Sequence, residues 1–283
     1  MAKKRVVLTG AAGYVSQRMF AELSQRYDLV PIDIKETFAD GRKVPGVHLC
    51  DLTNPDRAAY RKLFRGADCV VHNGFVVTRD LNATTWNNNS EAKFRMEYQN
   101  VGMAYNIFQA ALEEQVPRVV MTSSNHAADY YERLIWSDRW DVVTPDMAPK
   151  SDNFYGWAKI AYEALGFVYA SGKVGGRKLQ VVQVRIGAPR DSDFDTPPAD
   201  RKELYRAMGA YLSQRDQVQL YVCSIETEDI EDENGVPFLA VYGISGNSHN
   251  FWSLANARAK LGYQPQDDSL VKFGDAILKA VKR

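Results

Sequence analysis

The chain has 283 residues, enough for a sizeable core in one large or two small domains, and its 35 Lys plus Arg balance 35 Asp plus Glu. No net field is available to recruit nucleic acid or an anionic membrane. Cys50, Cys69 and Cys223 are scattered and odd in number, with neither metal-ligand spacing nor a disulfide framework, which suits a reducing cytoplasm.

At the N-terminus, Lys3-Lys4-Arg5 looks like the start of a signal peptide. The apolar run Val6-Val7-Leu8 is too short for an h-region before Thr9-Gly10, and no stretch approaches the roughly 20 apolar residues of a membrane span. The expectation is a soluble cytoplasmic protein without a metal site. Arg5 to Leu8 reads as a short buried strand and Thr9-Gly10-Ala11-Ala12-Gly13-Tyr14-Val15-Ser16 as the turn into a helix. Glycines there let the backbone approach a pyrophosphate, which amides at the helix N-terminus then bind, with Ala12, Tyr14 and Val15 among the contacts. A Gly-Ala-Ala-Gly turn can also be a plain tight connection. The next strand, Leu29 to Ile34, brings Asp33 about 20 residues after the last glycine, where a carboxylate takes the ribose 2′-hydroxyl of NAD and repels the 2′-phosphate of NADP.

Cys50-Asp51-Leu52 closes a short third strand; Asp51 either accepts from the adenine amino group or caps a helix from Pro55 onward. Asp68 to His72 is a fourth strand, followed by Asn73 and Gly74, where close cofactor approach is again possible. His72 reads as packed or hydrogen-bonded rather than catalytic. Residues 91 to 115 form one long helix, in which Phe94, Tyr98, Val101, Ala104, Tyr105, Ile107, Phe108 and Leu112 keep a 3.6-residue period. Asn100 interrupts it, either as an exposed asparagine or as a polar group bent toward the site. Residues 117 to 123 form the fifth strand and deliver Ser124 to the carboxyl edge of the sheet, where open α/β sheets bind ligands.

Ser151-Asp152-Asn153 offers caps for a helix running to about residue 171, with Tyr155 and Lys159 in its first two turns. Residues four apart share a helix face with Cβ atoms about 5–6 Å apart. An ammonium that close favours the phenolate and can bring a tyrosine pKa of about 10 toward neutral, while Ser124 holds the oxygen that loses its proton. Leu179 to Ile186 is a sixth strand, 188 to 200 a loop over the site, and 201 to 215 a helix presenting Arg206. Val218 to Cys223 is strand or helix by periodicity, the acidic run 226 to 233 a solvated loop, and 236 to 244 a strand that returns to the sheet. Phe251 and Trp252 either line the ligand pocket or close a core, and two short helices end the chain.

Thr9-Gly10-x-x-Gly13, Asp33, Asp51-Leu52, Asn100-Val101 and Tyr155-x-x-x-Lys159 together resemble an extended short-chain dehydrogenase/reductase over nearly the whole chain. Ser16 stands where that family has a third glycine. The resemblance implies a Rossmann-type doubly wound parallel α/β sheet, with residues 4–187 mainly for NAD and a small C-terminal part, 188–283, mainly for substrate, in one unit. It also favours a helix continuing toward Glu226, and a homodimer or higher homo-oligomer packing the long helix against the Tyr-bearing one. Within the family, Ser124-Asn125-His126 before Tyr130 and Tyr131 resembles uronate dehydrogenases, as do Val184-Arg185-Ile186-Gly187, Tyr205-Arg206 and Leu261-Gly262-Tyr263. That likeness implies NAD-linked oxidation of the anomeric hydroxyl of galacturonate or glucuronate, with Asn125 and His126 on sugar hydroxyls and Arg206 on the carboxylate.

Two serines expected to touch that substrate are replaced, by Val77 (beside Thr78) and by Ala188, and the loop 127–150 is longer and aromatic. Its Tyr130, Tyr131, Trp136 and Trp140 either pack the loop down, the favoured reading, or stack on a sugar. Another aldose or a sugar phosphate, a nucleotide-sugar epimerase or dehydratase, and a non-catalytic NAD sensor are the alternatives.

Overall fold

In the computed structural model, which describes residues 2–77 and 89–282, parallel strands form one sheet. They are β1 (Arg5–Thr9), β2 (Asp28–Asp33), β3 (His48–Leu49), β4 (Cys69–His72), β5 (Arg118–Ser124), β6 (Gln180–Ile186) and β7 (Phe238–Gly243), in the order β3-β2-β1-β4-β5-β6-β7. The order reverses between β1 and β4, which opens a crevice at their carboxyl ends. Along β1, Val6 and Leu8 join one core and Val7 the other, the alternation of a strand covered on both faces. On the first side lie α1 (Tyr14–Arg26) and α6 (Gln214–Glu226); on the second lie α2 (Glu91–Glu113) and α4 (Phe154–Ala170). The expected doubly wound sheet is therefore what the chain forms.

Beyond β6, the C-terminal part adds α5 (Arg201–Ala210), α7 (Ala255–Leu261) and α8 (Ser269–Val281), with α3 (Glu132–Ile135) inside the long aromatic loop. Phe194, Leu204, Met208, Tyr211 and Ile277 make a small separate core under α5 and α8.

Four local expectations are corrected. The helix expected from Pro55 is two short 3-10 turns, the first capped by Asp56 rather than Asp51. The third strand ends at Leu49, before Cys50-Asp51-Leu52. The helix expected over 201 to 215 stops at Ala210, because the backbone of Tyr211 to Ser213 is drawn into pairing: Leu212 N donates to Ala188 O and Ser245 N to Tyr211 O. Ser213 then caps α6 by accepting from Asp216 N. Finally, α2 is present, but its first turns face the opposite way from the aromatic stripe. Phe94, Tyr98 and Tyr105 are exposed, while Lys93, Glu97 and Asn100 are buried.

Candidate active site

A cleft of about 470 Å³ lies at the carboxyl ends of β1 and β4. Gly10, Ala12, Gly13, Tyr14 and Val15 line it from the first turn, Asp33 from β2, Asp51 and Leu52 from beyond β3, and Asn73, Gly74 and Val77 from beyond β4. Gly10 has φ +65°, and a Cβ there would sit 2.6 Å from the Asn73 carbonyl carbon and the Gly74 nitrogen. Any other residue would push the turn off the end of β4. Ala12 N donates to Asp33 Oδ2 at 2.9 Å and Lys35 N to Oδ1 at 2.9 Å, so the carboxylate is held against the cleft wall. Asp51 accepts on Oδ1 from Thr53 N (2.9 Å) and Thr53 Oγ1 (2.7 Å), a local turn that leaves Oδ2 uncommitted among the described residues.

Ser16, in the third-glycine position, has a structural use. Asn73 Nδ2 donates to its Oγ at 2.9 Å, Thr122 Oγ1 donates to Asn73 Oδ1, and Thr122 also meets Tyr221 OH at 2.5 Å. The turn is thereby tied to β4, β5 and α6. A backbone cradle that excludes a Cβ, with a fixed carboxylate lining the same cleft, fits a dinucleotide.

Tyr155 and Lys159 stand one turn apart on α4, whose cap Asn153 accepts from Gly156 N at 2.9 Å. Lys159 Nζ donates to Thr122 O at 3.2 Å and lies 5.5 Å from the centroid of the Tyr155 ring. That ring packs edge-on against cleft-lining Phe75 (5.6 Å) and against His126 (5.4 Å). Burial pushes the phenol up to about 12; a hydrogen bond with Ser124 pulls it down, and the Glu97 and Asp129 carboxylates push it further up. Burial lowers Lys159 to about 8, opposed by Glu97. Burial is thus the largest cause of both shifts, since it disfavours the charged form of each group.

His72 is packed, as expected: Nδ1 lies 2.6 Å from Thr9 Oγ1, and burial with the Lys159 charge drops its pKa to about 3. Asn100 is buried rather than exposed. Its Oδ1 accepts from Val76 N at 2.7 Å and its Nδ2 donates to Val76 O at 3.2 Å, which pins the segment after Phe75.

Ser124 ends β5 with its Oγ accepting from His126 N at 3.3 Å, so it opens the turn 125–131. Asn125 is 3% exposed, and its Nδ2 is a buried donor with no partner among the described residues. His126 Nδ1 pairs with Asp129 Oδ2 at 2.7 Å, and the same oxygen accepts from Asn153 Nδ2 at 2.8 Å. Arg206 reaches this corner from α5, where Nε donates to Glu132 Oε1 at 2.9 Å and Oε2 at 3.0 Å, and Nη2 lies 3.5 Å from Asp129 Oδ1.

Val77, Ala188 and Phe251, the other expected substrate contacts, have three different surroundings. Val77 is exposed at the cofactor cleft, with Thr78 outside the described residues. Ala188 is fixed by backbone bonds to Ala210 and Leu212. Phe251 is 1% exposed and packs on Trp252 (4.0 Å) and Trp136 (5.3 Å), so of its two readings the structure supports core. The loop aromatics also pack, with Tyr131 stacked on Trp140 at 5.1 Å.

Sequence reading missed Asp129, Glu132, Lys93 and Glu97. For Lys93 and Glu97 a signal existed: 93, 97 and 100 follow the same helical period as the aromatics one residue on. Asp129 and Glu132 meet Arg206 across 77 and 74 residues, where no local pattern points.

The NAD dependent epimerase/dehydratase family matches residues 6–186. An NAD-dependent glucose-6-phosphate dehydrogenase of Haloferax volcanii is 31% identical, over 93% of this chain and 94% of its own. An L-arabinose 1-dehydrogenase (NAD(P)(+)) of the same organism is 30% identical over 94% and 97%. The solved glucuronic acid dehydrogenase of Chromohalobacter salexigens is 25% identical with a TM-score of 0.73, covering 98% of this chain and 89% of that one. The chain belongs to the NAD dependent epimerase/dehydratase family, and NAD is its cofactor.

Proposed function

We propose that this NAD-dependent oxidoreductase oxidises the anomeric hydroxyl of a sugar, a hexuronate going to its aldarolactone being the substrate that the Ser124-Asn125-His126 turn supports. One observation carries the reading: the Tyr155 ring touches Phe75 of the cofactor cleft on one side and His126 of the turn on the other. The backbone at Gly10 to Gly13 would hold the pyrophosphate, Asp33 the adenosine ribose, Asp51 the adenine amino group and Lys159 the nicotinamide ribose. When bound, NAD supplies the hydride acceptor. Tyr155, as phenolate, takes the hydroxyl proton, and Ser124 steadies that oxygen. Asn125, with its orphaned donor, and His126, oriented by Asp129, hold sugar hydroxyls. Asn100 holds Val76 in place and would seat a water on the proton's way out. Residues 188–283 mainly shape the sugar end.

Arg206 favours a second reading, a neutral aldose. One guanidinium meets two carboxylates, so this corner is not the cationic pocket that an anionic sugar asks for. The test is NADH absorbance over galacturonate, glucuronate, glucose, glucose 6-phosphate and arabinose. Turnover of uronates supports the first reading, turnover confined to neutral aldoses the second. NAD-dependent epimerisation without net NADH, or full function in Tyr155→Phe, would defeat both. The exposed aromatics Phe94 and Tyr98 on α2 and Trp157 and Phe167 on α4 support homodimerisation through these helices, which sedimentation would check.

A further inference from the structure

Two ammonium groups approach the Tyr155 ring from different helices: Lys159 of α4 at 5.5 Å from the centroid, and Lys93 of α2 at 5.3 Å. The Lys93 Nζ lies 2.9 Å from Glu97 Oε1, and their side chains are 1% and 0% exposed. Glu97 Oε2 accepts from Asn100 Nδ2 at 3.3 Å, so 93, 97 and 100 form one inward polar stripe on α2. Burial pushes the Glu97 carboxyl up and Lys93 pulls it back. A buried ion pair is on average no more stabilising than the apolar residues that could replace it, so this pair calls for another reason to be there.

We propose that Lys93 and Glu97 are positioning residues of the reaction: Lys93 serves as a second cation for the Tyr155 phenolate, and Glu97 balances it. This rests on Tyr155 being the base proposed above. With the phenol neutral, Lys93, Lys159 and Glu97 sum to one positive charge (two minus one), and loss of one proton from the Tyr155/Lys159 pair brings the group to zero. Among the described residues, the other groups facing Tyr155 are Ser124 of β5, His126 and Asp129 of the following turn, Tyr162 beside Lys159 on α4, and Arg190 of the loop after β6. Glu163 on α4 acts on Lys159, and the Lys159 charge acts in turn on His72 of β4. None of these changes in the variants below. Removing the Glu97 charge makes the first proton loss easier whichever partner holds the proton, and removing the Lys93 charge makes it harder.

The test follows the Tyr155 Cζ resonance in isotope-labelled protein against pH, assigned with Tyr155→Phe. This resonance senses proton loss from either partner and needs no sugar. Glu97→Gln is expected to move the first transition down by about one pH unit, and Lys93→Met to move it up by about as much or beyond the parent's range. The double variant should return toward the parent. Shifts of the same sign, or no shift in folded Glu97→Gln, overturn the proposal. If Glu97→Gln does not fold, Glu97→Asp, which retracts the charge, must shift downward by less. If the shifts hold in a protein that oxidises no sugar, the charge balance stands and the proposed function falls.

Discussion

Arg206 and Glu132 form a side-on pair, in which the guanidinium Nε donates to both carboxylate oxygens at 2.9 and 3.0 Å. Burial pushes Glu132 upward in pKa while Arg206 pulls it back. The residue expected to grip an anionic sugar is therefore engaged from within the protein, and on the proposed reading Glu132 would act against a second carboxylate or phosphate. Glu132→Gln is expected to raise kcat/KM for glucuronate or glucose 6-phosphate, relative to arabinose, by about tenfold, close to 1.4 kcal/mol of discrimination. An unchanged ratio would mean that Arg206 does not face the sugar.

On the proposed reading, Asp33 would take the ribose 2′-hydroxyl of NAD and repel the 2′-phosphate of NADP. Its carboxylate is fixed by two backbone amides, and Lys35 lines the same cleft. Asp33→Ser keeps a hydrogen-bonding group, removes the repulsion of a 2′-phosphate and leaves Lys35 nearby. The NADP/NAD ratio of kcat/KM should rise by about tenfold or more. Titrating both cofactors against the variant measures it.

The rate should depend on pH in a known direction. As the proposed base, Tyr155 would act only after the Tyr155/Lys159 pair has lost a proton, and burial holds the phenol up at about 12 and the lysine down at about 8. Activity should therefore fall about tenfold per pH unit on the acid side and rise toward alkaline pH. His72, at about 3, should add no limb near neutrality. Tyr155→Phe should lower kcat by about 10²–10⁴-fold. A flat kcat between pH 6 and 9, with chemistry rate-limiting, would count against the tyrosine as base.

Glu163 lies one turn beyond Lys159 and docks α4 on the sheet. It accepts from Ser123 Oγ at 2.7 Å and takes Arg185 through Nε (2.9 Å) and Nη2 (2.7 Å). Glu163→Ala leaves the Arg185 charge buried and unpaired, which should cost about 3–5 kcal/mol. Urea unfolding with the slope unchanged would read this as a lower midpoint.

The parts legible in the sequence are those whose physics is local. Gly10 to Gly13, Asp33 and the Tyr155/Lys159 spacing each state a backbone conformation or a helix face within a few residues, and the cleft assembles from them. Where the chain's own pattern was ambiguous, tertiary contact decided. Phe94 and Tyr98 have the period of a core stripe, which Ala104, Ile107 and Phe108 keep further along, yet the buried side of the first turns of α2 holds Lys93, Met96, Glu97 and Asn100, where Asn100 satisfies the backbone of Val76. The helix through Arg206 has no breaker at Tyr211; it ends there because Ala188 and Ser245 take the backbone bonds. Nothing in residues 125 to 135 shows that Glu132 would meet an arginine 74 positions later.

Gly156 sits between Tyr155 and Lys159, where α4 touches the turn after Ser124. A Cβ there would lie 2.1 Å from both the His126 carbonyl oxygen and Ser151 Oγ. The serine can rotate away, but the carbonyl is backbone, so either α4 or the turn must shift. The cofactor cleft is lined from the first turn, β2 and the segments after β3 and β4 rather than from α4, so the proposed pyrophosphate and adenosine contacts should be left alone. Gly156→Ala is therefore expected to keep NAD affinity within about twofold and to lower kcat by about 10²-fold, the scale of a misplacement near 1 Å. Gly102→Ala is the control, since an added Cβ on that exposed part of α2 meets nothing within 4 Å and should leave kcat unchanged. Calorimetric NAD binding beside steady-state rates separates the outcomes. Loss of both affinity and rate in Gly156→Ala would mean that the contact holds the whole fold, and an unchanged kcat would mean that the register of Tyr155 against Ser124 is not what limits the reaction.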